Sequence, residues 1–70
     1  MNMNMMNIAI ELFGSSVELL YSPANRKHVW GRRFADGTEQ VLLGMADSCT
    51  AECVQWSPEG DTTIFYRTVV

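Results

Sequence analysis

The sequence predicts a mainly β fold: a small antiparallel sheet arranged as a β-meander of three hairpins with five or six strands. Three turn signals carry this prediction, Gly14-Ser15, Asp36-Gly37 and Pro58-Glu59-Gly60. Glycine adopts the positive φ that tight turns require, and proline pre-sets the φ of a first central turn residue. The flanking segments are rich in β-branched and aromatic residues, as strands prefer. The alternative is an α+β fold with one helix within 38–53.

Length and composition predict a single small domain over residues 1–70. A chain of 70 residues buries only ~60–65% of the surface that its unfolded form exposes, which leaves little volume for an enclosed pocket. Hydrophobic residues make up 47% of the chain and charged residues 19%, as in folded proteins. No apolar run approaches the ~18 residues of a membrane span, so we expect no membrane contact. Residues 1–6 are expected to be a flexible start or the frayed beginning of the first strand.

The first hairpin is predicted from residue 8 to residue 21. Apolar residues alternate with smaller or polar ones in segments 8–12 and 17–21, on either side of Gly14-Ser15. A two-residue turn there places the large apolar side chains on one face, as in a half-buried hairpin. The same register sets Glu11 opposite Glu18, and like charges in direct opposition are unfavourable. Either the register slips or a cation neutralises the pair.

The second hairpin is predicted around Asp36-Gly37, which is among the strongest short hairpin signals. The strand before it covers residues 28–35. A two-residue turn sets Arg33 opposite Gln40. It also places Trp30 and Val41 on one face.

Residues 38–53 admit two interpretations. One is a strand from residue 39 to residue 44. The other is a helix with Thr38 as its N-cap and an apolar face that ends at Cys53. The Asp-Gly turn favours the strand, with a short helical turn around 45–51.

The third hairpin covers residues 53–70, with a strand on each side of the Pro58-Glu59-Gly60 turn, and we expect Trp56, Ile64 and Tyr66 in the core. The stretch Trp56-Ser57-Pro58-Glu59-Gly60-Asp61, followed by Ile64-Phe65, resembles the blade signature of TolB-type propellers. It differs at Glu59, where that signature has Asp, and a propeller needs several blades. The resemblance implies strand pairing across the turn.

Charge is distributed unevenly along the chain. The net charge is −3, with five Lys and Arg against eight Asp and Glu, yet most of the bases lie in one short strip with two ring-bearing residues. Basic side chains beside aromatic ones grip phosphates and stack on bases, so the strip is a candidate patch for RNA, DNA or an acidic protein surface. The alternative is that Trp30 is core and that the charged residues pair with acids, among them Glu39. The candidate binding residues are Arg26, Lys27, His28, Trp30, Arg32 and Arg33, together with Glu11 and Glu18.

The sequence contains no motif that indicates catalysis, a cofactor or a metal site. Cys49 and Cys53 with the single distant His28 do not complete the four ligands of a structural zinc site. No phosphate-binding glycine loop and no convincing carboxylate pair is present. We therefore expect a protein that is not an enzyme and binds no cofactor. In the absence of a secretory pattern, we expect a cytoplasmic protein with reduced thiols.

Three functional hypotheses remain. The favoured one is a small acidic binding protein that inhibits or regulates a larger protein or nucleoprotein complex, of the class of phage-type antagonists such as anti-CRISPR proteins. The second is a module that contacts nucleic acid through the strip 26–33; a net charge of −3 counts against it, because dedicated nucleic-acid binders are usually basic. The third is a structural subunit that self-associates, as a homodimer or a larger assembly, through weakly protected sheet edges at its two ends.

Overall fold

The computed structural model describes residues 4–69, which form a five-stranded antiparallel sheet with one α-helix. The strands lie side by side in chain order, so the sheet is a simple meander. The predicted mainly β fold is confirmed; of the predicted start 1–6, residues 1–3 lie outside the described part. The elements are α1 (Met5–Phe13), a 3₁₀ turn (Gly14–Ser16), β1 (Glu18–Ser22), β2 (Lys27–Arg33), β3 (Glu39–Met45), β4 (Thr50–Trp56) and β5 (Thr62–Thr68).

The helix α1 occupies the segment for which a strand was predicted, so the first predicted hairpin is wrong. The Asn4 side chain accepts a hydrogen bond from the Asn7 N–H at 2.9 Å and caps the helix. At the other end Gly14 has a φ of 63°, and its N–H donates to the Ile10 carbonyl. Because Glu11 lies exposed on this helix, it has no place opposite Glu18 in a strand pair.

The helix packs on one side of the sheet, which we call the helix face. Its buried residues follow helical spacing and meet side chains from β3, β4 and the end of the chain. This cluster, which we call the helix core, contains Ile8, Ala9, Leu12, Phe13, Leu42, Ala51, Cys53 and Val69, with Val17, Trp30 and Phe65 packed against it.

The other side of the sheet, which we call the opposite face, has its own core. It contains Leu20, Val29, Val41 and Val54, with Trp56 packed against them. Two strands separate Leu20 of β1 from Val54 of β4 in the sheet order, so their common cluster indicates that the sheet curls towards this face. The turn residues Pro23 and Ala24 consequently line a groove of about 310 Å³ together with Trp56 and Gly60 at the far end of the sheet.

The curl pivots at Gly31. β1 pairs with β2 from Lys27 to Gly31, whereas β3 pairs with β2 from Gly31 to Arg33. A Cβ atom at Gly31 would overlap the Gln40 carbonyl oxygen and would lie 2.8 Å from a Val41 methyl carbon. Glycine is therefore required at the point where β2 leaves one neighbour for the other.

The Asp36-Gly37 hairpin forms, but its register differs by one residue from the prediction. Arg33 lies opposite Glu39, not Gln40. The loop has three residues between Phe34 and Thr38, and Gly37 alone in it has positive φ, at 94°. A type I turn followed by a left-handed residue gives such a loop, whereas the two-residue turn needs two positive φ values. The shift places Trp30 and Val41 on different faces.

The third hairpin is confirmed and repeats the same turn. Ser57 pairs with Asp61, and Gly60 has a φ of 96°. The expectation for the core is wrong at two of three positions, since Ile64 and Tyr66 are both 57% exposed.

Residues 38–53 form strands, as the Asp-Gly turn favoured, and the alternative helix is absent there. The helical turn expected around 45–51 is replaced by the connection between β3 and β4. Leu43 is the extra residue of a β-bulge, because Leu42 pairs with Cys53 and Gly44 with Glu52.

None of the residues 4–69 belongs to a helix that is long and apolar enough to cross a membrane.

Candidate functional site

The strip of basic and aromatic residues does not form one surface, because strand β2 sends its side chains alternately to the two faces. His28, Trp30 and Arg32 belong to the helix face, as the packing of Trp30 against the helix core requires. Lys27 and Arg33 belong to the opposite face with Val29.

On the helix face, β1 and β2 build a compact block of apolar and aromatic side chains. Leu19 lies directly opposite Trp30, and Tyr21 lies directly opposite His28. Residues opposed in this way have Cβ atoms ~5 Å apart. The Tyr21 and His28 rings meet edge to face, with centroids 5.4 Å apart and an angle of 68° between planes. We call Leu19, Tyr21, His28, Trp30 and Arg32 the aromatic surface.

The aromatic surface is open to solvent at its outer strand and anchored at its inner one. Leu19 is 51% exposed and Tyr21 is 52% exposed, although both are large and apolar in part. Trp30 is half-buried, because one side of its ring packs against the helix core. A ring held in this way presents contact area without the entropy loss of a free side chain.

Arg32 adds a charged group that is held in place by its neighbours. Its guanidinium carbon lies 4.5 Å from the Phe34 ring centroid and 5.9 Å from that of Phe13, which are cation–π distances. Its Nε–H donates to Gln40 Oε1 at 3.2 Å, and Gln40 Nε2 donates in turn to Gln55 Oε1 at 2.8 Å. Within residues 4–69 the terminal nitrogens of Arg32 make no hydrogen bond, so they are available to a ligand.

Arg33 pairs with an acidic residue of the protein itself, which is the alternative that the sequence left open for the charged residues of the strip. Its Nε–H donates to Glu39 Oε2 at 2.6 Å, and Trp56 Nε1–H donates to Glu39 Oε1 at 2.6 Å. This bond and the charge of Glu39 raise the pKa of Arg33. Since the Arg33 side chain is 56% exposed, solvent screens the ion pair and its contribution to stability is small. Glu39 of β3 therefore connects Arg33 of β2 with Trp56 of β4.

The remaining predicted binding residues lie apart from the aromatic surface. Arg26 is an exposed residue of the β1–β2 turn with a φ of 57°, and Lys27 pairs with Ser22 on the opposite face. Glu11 lies on α1. Glu18 begins β1 on the opposite face, near enough to Arg33 to contribute to its raised pKa.

The two cysteines lie in different environments. Cys49 is exposed, while Cys53 is fully buried in the helix core, and this burial raises the pKa of the Cys53 thiol. Across residues 4–69 no three side chains of His, Cys, Asp and Glu come together as a potential metal site.

Leu19 and Tyr21 are the members of the aromatic surface that sequence reasoning missed. Their alternation indicated burial against a strand over 8–12, and that strand is a helix instead. No signal in the sequence identified them as exposed, because side chains alternate in the same way along edge strands and central strands. Leu19-Leu20-Tyr21 and Ile64-Phe65-Tyr66 share the pattern of an aliphatic residue followed two positions later by Tyr. The structure places these two segments on the two edge strands, β1 and β5.

Fold and surface together define a small curled β-meander with one helix and an aromatic patch on its first edge. No protein-family model matches this sequence, and comparisons with curated proteins and with solved structures returned no match.

Proposed function

We propose that this protein is a non-enzymatic binding protein that docks through its aromatic surface on a larger protein or nucleoprotein complex and thereby inhibits or regulates it. The observation that carries the proposal is the half-exposure of Leu19 and Tyr21 beside a Trp30 ring that the helix core holds in place. Exposed contiguous apolar groups with a polar rim are typical of interaction sites.

The residue types of the aromatic surface support a protein partner. Tyr, Trp and Arg dominate the binding energy of protein interfaces, where they fill desolvated pockets near the centre. Tyr21 and Trp30 supply large rings, and Arg32 supplies donors whose position the Phe34 ring and the Gln40 amide fix. We therefore expect the partner to present an apolar pocket bordered by a carboxylate.

Charge bears on the partner as a whole. The protein carries a net charge of −3, which favours approach to a basic surface, as on a protein that handles nucleic acid. A phage-type antagonist, of which anti-CRISPR proteins are one kind, is the class that we favour on this ground. Such a protein would act in the cytoplasm, where Cys49 and Cys53 would remain thiols.

The experiment is a pull-down from the lysate of the source or host cell with tagged wild-type protein and two variants. Tyr21→Ser removes an exposed ring from the aromatic surface. Tyr66→Ser is the matched control, because Tyr66 is exposed to a similar extent on the other edge strand and the other face. We expect one partner in stoichiometric amount with wild type and Tyr66→Ser, and its loss with Tyr21→Ser. Capture of no stoichiometric partner, or equal capture by all three proteins, would contradict the proposal.

A second candidate function follows from the same geometry. Tyr21, His28 and Trp30 share an open sheet face with Arg32, and aromatic rings on such a face stack with unpaired bases. Titration of single-stranded RNA and DNA into the protein, followed by Trp fluorescence, tests it. Binding that weakens steeply with salt and is lost in Arg32→Ala would favour this function. The favoured function predicts no measurable binding at physiological salt.

A further inference from the structure

Strand β5 forms an edge of the sheet that carries few of the usual protections. Within residues 4–69 it pairs with β4 alone, over seven positions and without a bulge. Natural edge strands are commonly shielded by charge, proline, bulges or shortness. Thr62–Thr68 contains one charged residue, Arg67, and no proline.

The side chains of β5 on the opposite face are apolar and exposed. Ile64 and Tyr66 lie there, because their partners on β4 are Val54 and Glu52. Each is 57% exposed, and we call these two neighbouring side chains the β5 strip. The Tyr66 hydroxyl donates weakly to Glu52 Oε2 at 3.4 Å, which keeps the ring alongside β4.

The β5 strip is complementary to the β5 strip of a second copy that is related to it by a two-fold rotation. Phe65 is the middle residue of β5, so antiparallel pairing of two copies about Phe65 overlaps all seven positions. Ile64 then lies opposite Tyr66 of the other copy, and the reverse pair forms at the same time. Aromatic residues opposite β-branched ones are favourable cross-strand pairs.

The same register causes no charge conflict at the strand pair. Arg67 lies opposite Thr63 of the other copy, so the two guanidinium groups sit at opposite ends of the interface. Thr62 meets Thr68. The cost comes instead from the net charge of −3 on each copy, and salt screens this repulsion.

We propose that two copies of this chain associate through β5 into a symmetric ten-stranded sheet with Phe65 at the two-fold axis. The inference does not rest on the proposed function, since the aromatic surface lies on β1 and on the helix face. From the sequence, self-association was expected through sheet edges at the two ends of the chain. Here Val69 is buried in the helix core, while the Met- and Asn-rich start lies partly outside the described residues and partly in the first turn of α1.

Sedimentation equilibrium over about 10 µM to 1 mM measures this association, a range suited to an interface smaller than standard size. We expect the mass to rise with concentration from 7.9 kDa toward twice that value, and the rise to begin at lower concentration in high salt. A protein that stays monomeric throughout the range overturns the proposal.

Two single variants and one control locate the interface. Ile64→Glu and Tyr66→Lys each place a charge in the strip, and each should raise the dissociation constant at least about tenfold. Both positions are exposed, and circular dichroism checks that the variants fold. Ile64→Thr and Tyr66→Thr repeat the test with residues that strands favour. Tyr21→Lys makes a similar change on β1 and should leave the association unchanged; a loss with Tyr21→Lys equal to that with Tyr66→Lys overturns the proposal.

A mixture of the two charged variants tests the register. In a heterodimer of Ile64→Glu with Tyr66→Lys, the introduced carboxylate faces the introduced ammonium group across the two-fold axis, while the other pair stays native. We expect the equimolar mixture to dimerise more tightly than either variant alone. If the mixture behaves as the sum of two monomers, the Phe65-centred register is wrong.

Discussion

Among single residues, Gly31 has the tightest surroundings of the glycines that the structure describes. It is the position where β2 passes from β1 to β3, and it is buried against the backbone of β3. A methyl group there has no free volume, because its nearest neighbour is a backbone carbonyl that cannot rotate away. This close contact adjoins the cluster on the opposite face, to which Val29 of β2 and Val41 of β3 both belong.

Replacement of Gly31 by Ala should therefore destabilise the protein strongly. Overpacking against backbone costs about 3 kcal/mol, a large part of the stability of a small domain. Gly44 is the matched control, because a Cβ atom there meets nothing within 4 Å, and Gly44→Ala should change stability by less than about 1 kcal/mol. Urea unfolding measures both. Equal stability of Gly31→Ala and wild type would show that β2 has room at its pivot.

At the scale of elements, the helix shows why part of the fold could not be predicted. Ile8, Ile10 and Leu12 alternate as in a strand, but Ile8, Leu12 and their neighbours Ala9 and Phe13 also form one side of a helix. A segment this short does not distinguish the two periods. The missed signals were Asn4 as an N-cap and Gly14 as a C-terminal stop. The hairpins at Asp36-Gly37 and at Pro58-Glu59-Gly60 were easier to predict, because turn chemistry marks each of them locally.

The N-cap supplies a test at this scale. Asn4→Ala removes the side chain that accepts from the Asn7 N–H and should cost about 1 kcal/mol. Asn7→Ala is the control, since the Asn7 side chain is exposed and only its backbone takes part, and it should change stability by less than about 0.5 kcal/mol. Thermal unfolding of the two variants checks this. Equal losses would mean that Asn4 does not cap α1.

Part of the candidate site could be predicted from the alternation of side chains along a strand. His28, Trp30 and Arg32 were recognised as a group, and strand alternation keeps them together on the helix face. Lys27 and Arg33 were included because residues adjacent in sequence were treated as one strip, although alternation sends them to the other face. The one-residue difference at Asp36-Gly37 also determined that Arg33 meets Glu39, because loop length fixes register.

At the scale of the whole molecule, the two edges of the sheet carry similar residues on different faces. β1 presents Leu19 and Tyr21 on the helix face, and β5 presents Ile64 and Tyr66 on the opposite face. A dimer through β5 would leave both aromatic surfaces free, at the far ends of a ten-stranded sheet. Partner binding is therefore expected at one edge of the sheet and self-association at the other.

The affinity of the captured partner for Tyr21→Ser and for Tyr66→Ser decides whether partner binding belongs to the aromatic surface. The partner is immobilised, and the variants are applied at concentrations too low for their self-association. We expect Tyr21→Ser to weaken binding at least about tenfold, as for a residue at the centre of an interface. Tyr66→Ser should stay within about twofold of wild type. Equal affinities for the two variants, or a larger loss with Tyr66→Ser, would contradict the assignment of partner binding to the aromatic surface.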